Sequence, residues 1–191
     1  DALILCPIIG AILEVMTMIR TINGKTPRIA ESAFVSEAAY IVGDVEIGEG
    51  TSVWPGAVIR GDLGPIKIGS DCAVEDNCVI HVGSPDGILS NLNIGDRVVI
   101  GHGAVLNCIR IGNDVLIGMN ATILHDVTIG NDCIIAAGCV VREKMIVPDD
   151  SFVLGVPGEI KGKPSQDHLW WIQDSYKAYV RLTKQYKKEG L

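Results

Sequence analysis

Two histidines, His81 and His102, stand at fixed offsets from branched aliphatic residues: His81 directly follows Ile80, and His102 comes two places after Ile100. Arg60, Asp62, Glu75, Asp76 and Asn107 follow other members of the same aliphatic ladder by one to three places. Imidazole changes charge near neutral pH and ligates metals, and carboxylates accept protons or hold cations. A fold that gathered these groups could therefore move protons or bind a metal. Which of them meet is decided by the ladder that carries them.

That ladder has a period of six. It runs through Ile29, Val35, Ile41, Ile47, Val53 and Ile59, then Ile68, Val74 and Ile80, then Ile94, Ile100 and Leu106, and from Ile111 to Val141. Six fits neither an amphipathic helix nor a lone alternating strand, so it describes short strands joined by tight turns, the pattern of a hexapeptide solenoid. Glycine follows the anchor at Gly48, Gly69, Gly95, Gly101, Gly112, Gly118 and Gly130, where we expect it to ease the corner. A small residue comes four places after the anchor, as at Ala57, Cys72, Cys78, Ala104, Ala121, Cys133 and Cys139, and should share the narrow core with it.

Three hexads make one triangular turn in known hexapeptide solenoids, so residues three anchors apart should stack at about 4.8 Å. With Leu63 to Lys67 as one bulge and Val82 to Asn93 as another, Arg60, His81 and Asn107 fall in one column. Asp76 and His102 share a column on a different side of the prism, with Glu75 beside them. One chain then keeps His102 away from His81. A threefold neighbour could bring them together, giving a site that exists only in a homotrimer.

Bulk properties narrow the field. The 191 residues suit one domain of ordinary size, and 48% hydrophobic content with few aromatics suits a core of Ile and Val. A net charge of −7, with no long basic run, argues against a nucleic-acid partner. Cys72, Cys78, Cys133 and Cys139 occupy the inward slot without CxxC spacing, which favours buried free thiols and a cytoplasmic location. Residues 1–17 form an apolar extension outside the repeat, read either as a segment that packs as a helix on the solenoid or on a partner, or as translated sequence ahead of the usual start at Met18, the second being favoured for its origin. It is shorter than the roughly 20 residues of a membrane helix, so no membrane association is expected. The solenoid is assigned to 18–163 and a C-terminal helix to 164–191, where Leu169, Ile172, Tyr176, Tyr179 and Leu182 have helical spacing. Trp170 and Trp171, with the tyrosines, are expected to cover the side of the solenoid, and Lys184, Lys187 and Lys188 to form a solvated helix end.

Three segments carry a family resemblance: IRGD at 59–62, VEDNCVIHVG at 74–83 and IGHGAVLNC at 100–108. With GVPG at 155–158 and the tail, they resemble gamma-class carbonic anhydrases and their bacterial paralogues over residues 18–188. The resemblance implies an all-β fold, a left-handed parallel β-helix with a C-terminal α-helix, assembled as a trimer. It also implies three histidines holding a divalent metal between subunits, zinc first, with iron, cobalt and nickel as the other candidates. Water on that metal would attack carbon dioxide to give bicarbonate. His81 and His102 match two of the ligands, and Asn107 stands at the third. Glu75 replaces a glutamine that contacts the metal's water, and a carboxylate there could restore a ligand set of two histidines and one acid. Arg60, Asp62 and Asp76 match an ion-pair network at the subunit interface. Of the acidic loop that shuttles protons, only Asp86 has a counterpart here. His125 is a weaker rescue ligand and reads as a surface residue. The competing functions are a hexapeptide acyltransferase using acyl-CoA, and a catalytically silent scaffold that lost its third histidine.

Overall fold

The computed structural model describes residues 18–83 and 91–190. The 1–17 extension and Asp86 lie outside the described residues. The chain winds about seven turns as a left-handed parallel β-helix and ends in a single helix, α1 (Gln166–Glu189).

The prism has three faces of short stacked strands. One carries Val79–His81, paired on one side with the first half of Val58–Ile68 and on the other with Val105–Leu106. The second runs from Phe34–Val35 through Ala73–Val74, Val99–Ile100, Leu116–Ile117 and Ile134–Ile135 to Phe152–Leu154. The third includes Leu92–Ile94, Arg110–Ile111, Thr128–Ile129 and Ile146–Val147. Along the stacked coils anchor meets anchor: Ile59 with Ile80, Ile80 with Leu106, Val74 with Ile100. These side chains fill the axis, and Ile59, Ile80, Ile100 and Ile117 are fully buried. The first bulge is real. Between Tyr40–Ile47 and Val58–Ile68 the register jumps from Gly43–Gly61 to Val45–Ile66, which throws Asp62 to Pro65 outward against a single Asp44.

Glycine after the anchor does a different job from the one its position suggested. The corner residue that adopts a left-handed backbone sits two places later, as at Asn77 (φ 60°) and Asn120 (φ 56°), where a short amide side chain tolerates that conformation. At Gly118, by contrast, an added Cβ would lie 2.4 Å from the backbone N of Ala137 in the next coil. Close stacking of coils, rather than turn geometry, requires glycine there. A ladder of side chains locks another corner: Asp96 Oδ1 accepts from Ser70 N at 2.8 Å, Asn113 Oδ1 from Asp96 N at 2.8 Å, and Asn131 Oδ1 from Asn113 N at 2.9 Å.

The inward small slot holds free, buried Cys72, Cys78, Cys133 and Cys139, and Cys108 joins them from outside the six-residue pattern.

Helix α1 lies along the second face, antiparallel to the advance of the coils. Ser165 caps its N-terminus by accepting from His168 N, and Gly190 (φ 77°) closes its C-terminus. His168 stacks on Phe152 of the last coil at 4.6 Å, while Tyr186 packs edge-on against Phe34 and Trp54 of the first coils. Lys187 then donates to the backbone carbonyls of Glu31 and Ala33 at 2.6 and 3.2 Å, so this lysine is engaged at the solenoid instead of being free in solvent. A 24-residue helix is about 36 Å long, enough to span six coil steps of about 4.8 Å. The expectation that the tryptophans and tyrosines cover the solenoid holds for Tyr179 and Tyr186 but only in part for Trp170 and Trp171, which are 55% and 51% exposed and pack on each other. Docking uses the stripe Ile172, Tyr179, Thr183 and Tyr186, which turns the tryptophan pair away from most of the face.

Candidate metal centre

Because anchors meet anchors, the residue after each anchor inherits a column. Arg60 is registered directly on His81, and Asn107 follows Leu106, the partner of Ile80. His81 Nε2 lies 3.0 Å from Asp62 Oδ1 and 3.1 Å from an Arg60 guanidinium nitrogen, while Arg60 Nε pairs with Asp62 at 3.4 Å. That ring atom carries either a proton or a lone pair. It therefore donates to Asp62 or accepts from Arg60, and the Arg60–Asp62 pair holds the ring in place either way. The outward bulge puts Asp62 within reach.

The second cluster occupies the corner after the second face. His102 is clamped on both sides, with Nδ1 2.9 Å from Asp76 Oδ2 and Nε2 3.0 Å from Glu75 Oε2. The same Glu75 oxygen accepts from the His102 backbone N–H at 2.8 Å, and Glu75 is only 6% exposed. A buried carboxylate needs such partners to offset lost hydration. Tyr179 of α1 supplies another: burial first, and then its hydrogen bond to Glu75, raise the phenol well above the usual tyrosine range. Its helical spacing marked Tyr179 in the sequence as a packing residue, but nothing there said which coil it would meet.

Arg60, Asp62, His81 and Asn107 thus gather on one side, and Glu75, Asp76 and His102 on another. Asp76 pairs with His102, on a different side of the prism from the Arg60–Asp62 pair. His125 is half-buried one coil beyond Asn107. Among the described residues, no group of three or more His, Cys, Asp or Glu is placed to hold a metal within one chain. The donor chemistry nevertheless fits a divalent cation. His102 Nε2 and Glu75 Oε2 lie 3.0 Å apart, and a further imidazole beside them would complete two histidines and a carboxylate. Asn107 is the ill-fitting member, since a neutral amide oxygen is a weak substitute for imidazole.

A model of bacterial transferase hexapeptide repeats (six repeats) matches residues 109–143. The chain is 47% identical over 156 residues to a Methanocaldococcus jannaschii protein named as a probable carbonic anhydrase, covering 82% of this chain and 96% of that one. It is 33% identical over 168 residues to mitochondrial gamma carbonic anhydrase 2 of Arabidopsis thaliana, covering 87% of this chain and 60% of the plant protein. The chain therefore spans about three-fifths of that relative's length. A solved Bacillus cereus structure described as a candidate acetyltransferase superposes with a TM-score of 0.83 at 34% identity, over 89% of this chain and 96% of its own. The fold and these relatives define a hexapeptide-repeat protein. Within that class, the chain belongs to the gamma-class carbonic anhydrase family.

Proposed function

We propose that the protein works as a homotrimer that binds a divalent metal between subunits and interconverts carbon dioxide and bicarbonate. The observation that carries this reading is the division of the donor set over two sides of the prism. His81 and Asn107 share one column, and His102 with Glu75 shares another, so a second copy is needed to unite them. Family membership supplies the reaction class.

His81 and His102 would hold the metal, with Glu75 beside them and Asn107 as a weak oxygen donor. Zinc, or iron, cobalt or nickel in its place, would supply the Lewis acidity that makes water a nucleophile near neutral pH. The chain's own groups do the rest. Asp62 and Arg60 fix the His81 ring, and Asp76 fixes the His102 ring through Nδ1. Glu75 Oε2, held by the His102 backbone N–H, is a placed acceptor for a proton leaving water. Free buried thiols suit a reducing compartment such as the cytoplasm.

Elemental analysis of the purified protein, alongside stopped-flow hydration assays, tests the proposal. We expect Glu75→Gln to lower metal per protomer relative to the parent. Equal occupancy would remove Glu75 from the ligand set, and a metal-loaded trimer without hydratase activity would reject the enzymatic reading.

A second reading, acyl transfer from acyl-CoA with His102 as general base, draws on the Asp76–His102 pair within one chain and on the likeness to the Bacillus cereus structure. Against it, the relatives that are 47% and 33% identical to this chain are named as carbonic anhydrases. Calorimetric titration with acetyl-CoA separates the two, because only this reading expects saturable binding.

A further inference from the structure

Between α1 and the second face lies a cavity of about 420 Å³ that opens onto Glu75 and His102. Its wall is a straight row of outward side chains, Val99, Leu116, Ile134 and Phe152, each registered on the next. Its floor comes from a change of residue size within one column. In the second and third coils the place after the anchor is filled by Trp54 and Glu75, and in the following coils it holds only Gly101, Gly118 and Ala136. Trp171 and Ser175 close the helix side.

A three-atom gas needs none of this room. The volume falls in the range of roughly 300–1,000 Å³ typical of small-molecule pockets, and such apolar walls with a few convergent polar groups usually bind a molecule with an apolar body. The polar end fixes the headgroup. Glu75 and Asp76 flank His102 with two carboxylates, which accept hydrogen bonds and repel anions. We infer that this cavity binds a small amphiphile whose aliphatic or aromatic body lies along the Val99–Phe152 row, with a hydrogen-bond-donating, non-anionic head at Glu75. Binding of the body does not depend on carbon dioxide hydration, and the preference of the head is read with metal removed by a chelator, because a cation held by Glu75 and His102 would instead favour an anionic head.

Hexanamide and hexanoate share one body and differ in the head, so titrating each into the full-length protein at pH 8 by calorimetry tests both halves. Hexanamide is expected to bind saturably at or below about 1 mM, and hexanoate about tenfold more weakly or worse. Ala136→Leu, which fills the floor, should weaken hexanamide at least about tenfold, while Ala136→Ser should leave it within about twofold. Ser175→Leu fills the same space from the exposed helix side and serves if Ala136→Leu fails to fold. Absence of saturable hexanamide binding, equal binding of hexanoate, or binding untouched by the filling substitutions would overturn the inference.

Discussion

Asn107 concentrates the chemical question at the scale of single residues. Its backbone is held in the ladder by a 2.9 Å bond to Ile123 O, so the side chain at this position can change without disturbing the coil. Asn107→His should therefore raise the metal content of the purified protein, and hydratase activity with it, because imidazole binds zinc where a neutral amide barely does. Metal analysis together with stopped-flow assays checks this, and unchanged metal content would mean that position 107 does not face the metal. Column membership of Arg60, His81 and Asn107, and of Asp76 with His102, was legible from anchor spacing, because the period of six survives both bulges. Partner choice was not legible. Spacing could not say that Asp62 would turn to His81, that Glu75 would take both the ring and the backbone N–H of His102, or that Tyr179 would reach Glu75 from α1. Those contacts depend on rotamers and on which coil the helix crosses.

At the scale of the coil, the two kinds of special backbone position make opposite demands, and a pair of substitutions separates them. Gly118 faces the next coil's backbone, so Gly118→Ala must push Ala137 away and should destabilise the protein by about 1–3 kcal/mol. Asn120 adopts a left-handed backbone conformation that glycine adopts without strain, so Asn120→Gly should change stability by only a few tenths of a kcal/mol. Urea-unfolding midpoints measure both. A tolerated Gly118→Ala would restore the view that glycine after the anchor merely eases the corner. The sequence marked these glycines through periodicity, but the distinction between turning and stacking appears only when coils are superposed. The same limit applies to α1. Its spacing announced a helix, yet five apolar or aromatic positions fit more than one docking stripe, and the Phe34–Trp54–Tyr186 contacts select the one that leaves Trp170 off the face and Trp171 only along the wall of a cavity.

Across the whole molecule, stability rests on one continuous axis of aliphatic anchors with thiols in the small slots between them. Burial, the dominant cause at each, pushes Cys72, Cys78 and Cys108 up to about 12 and Cys133 up to about 11, from an ordinary value of 9.0. A thiol whose folded pKa is raised keeps its proton in the native state while the unfolded chain begins to lose it. The contribution to stability is therefore complete below pH 9 and is lost as pH rises from about 9 toward 11 to 12. Urea midpoints should stay level from pH 7.5 to 8.5 and then fall steadily at 9.5 and 10.5. Because Cys72 and Cys78 sit in slots that alanine fills elsewhere in the ladder, as at Ala57 and Ala104, a Cys72→Ala, Cys78→Ala protein should still fold and show a shallower alkaline decline. An identical decline in parent and double variant would trace the loss to other groups, since the two proteins differ only in those thiols.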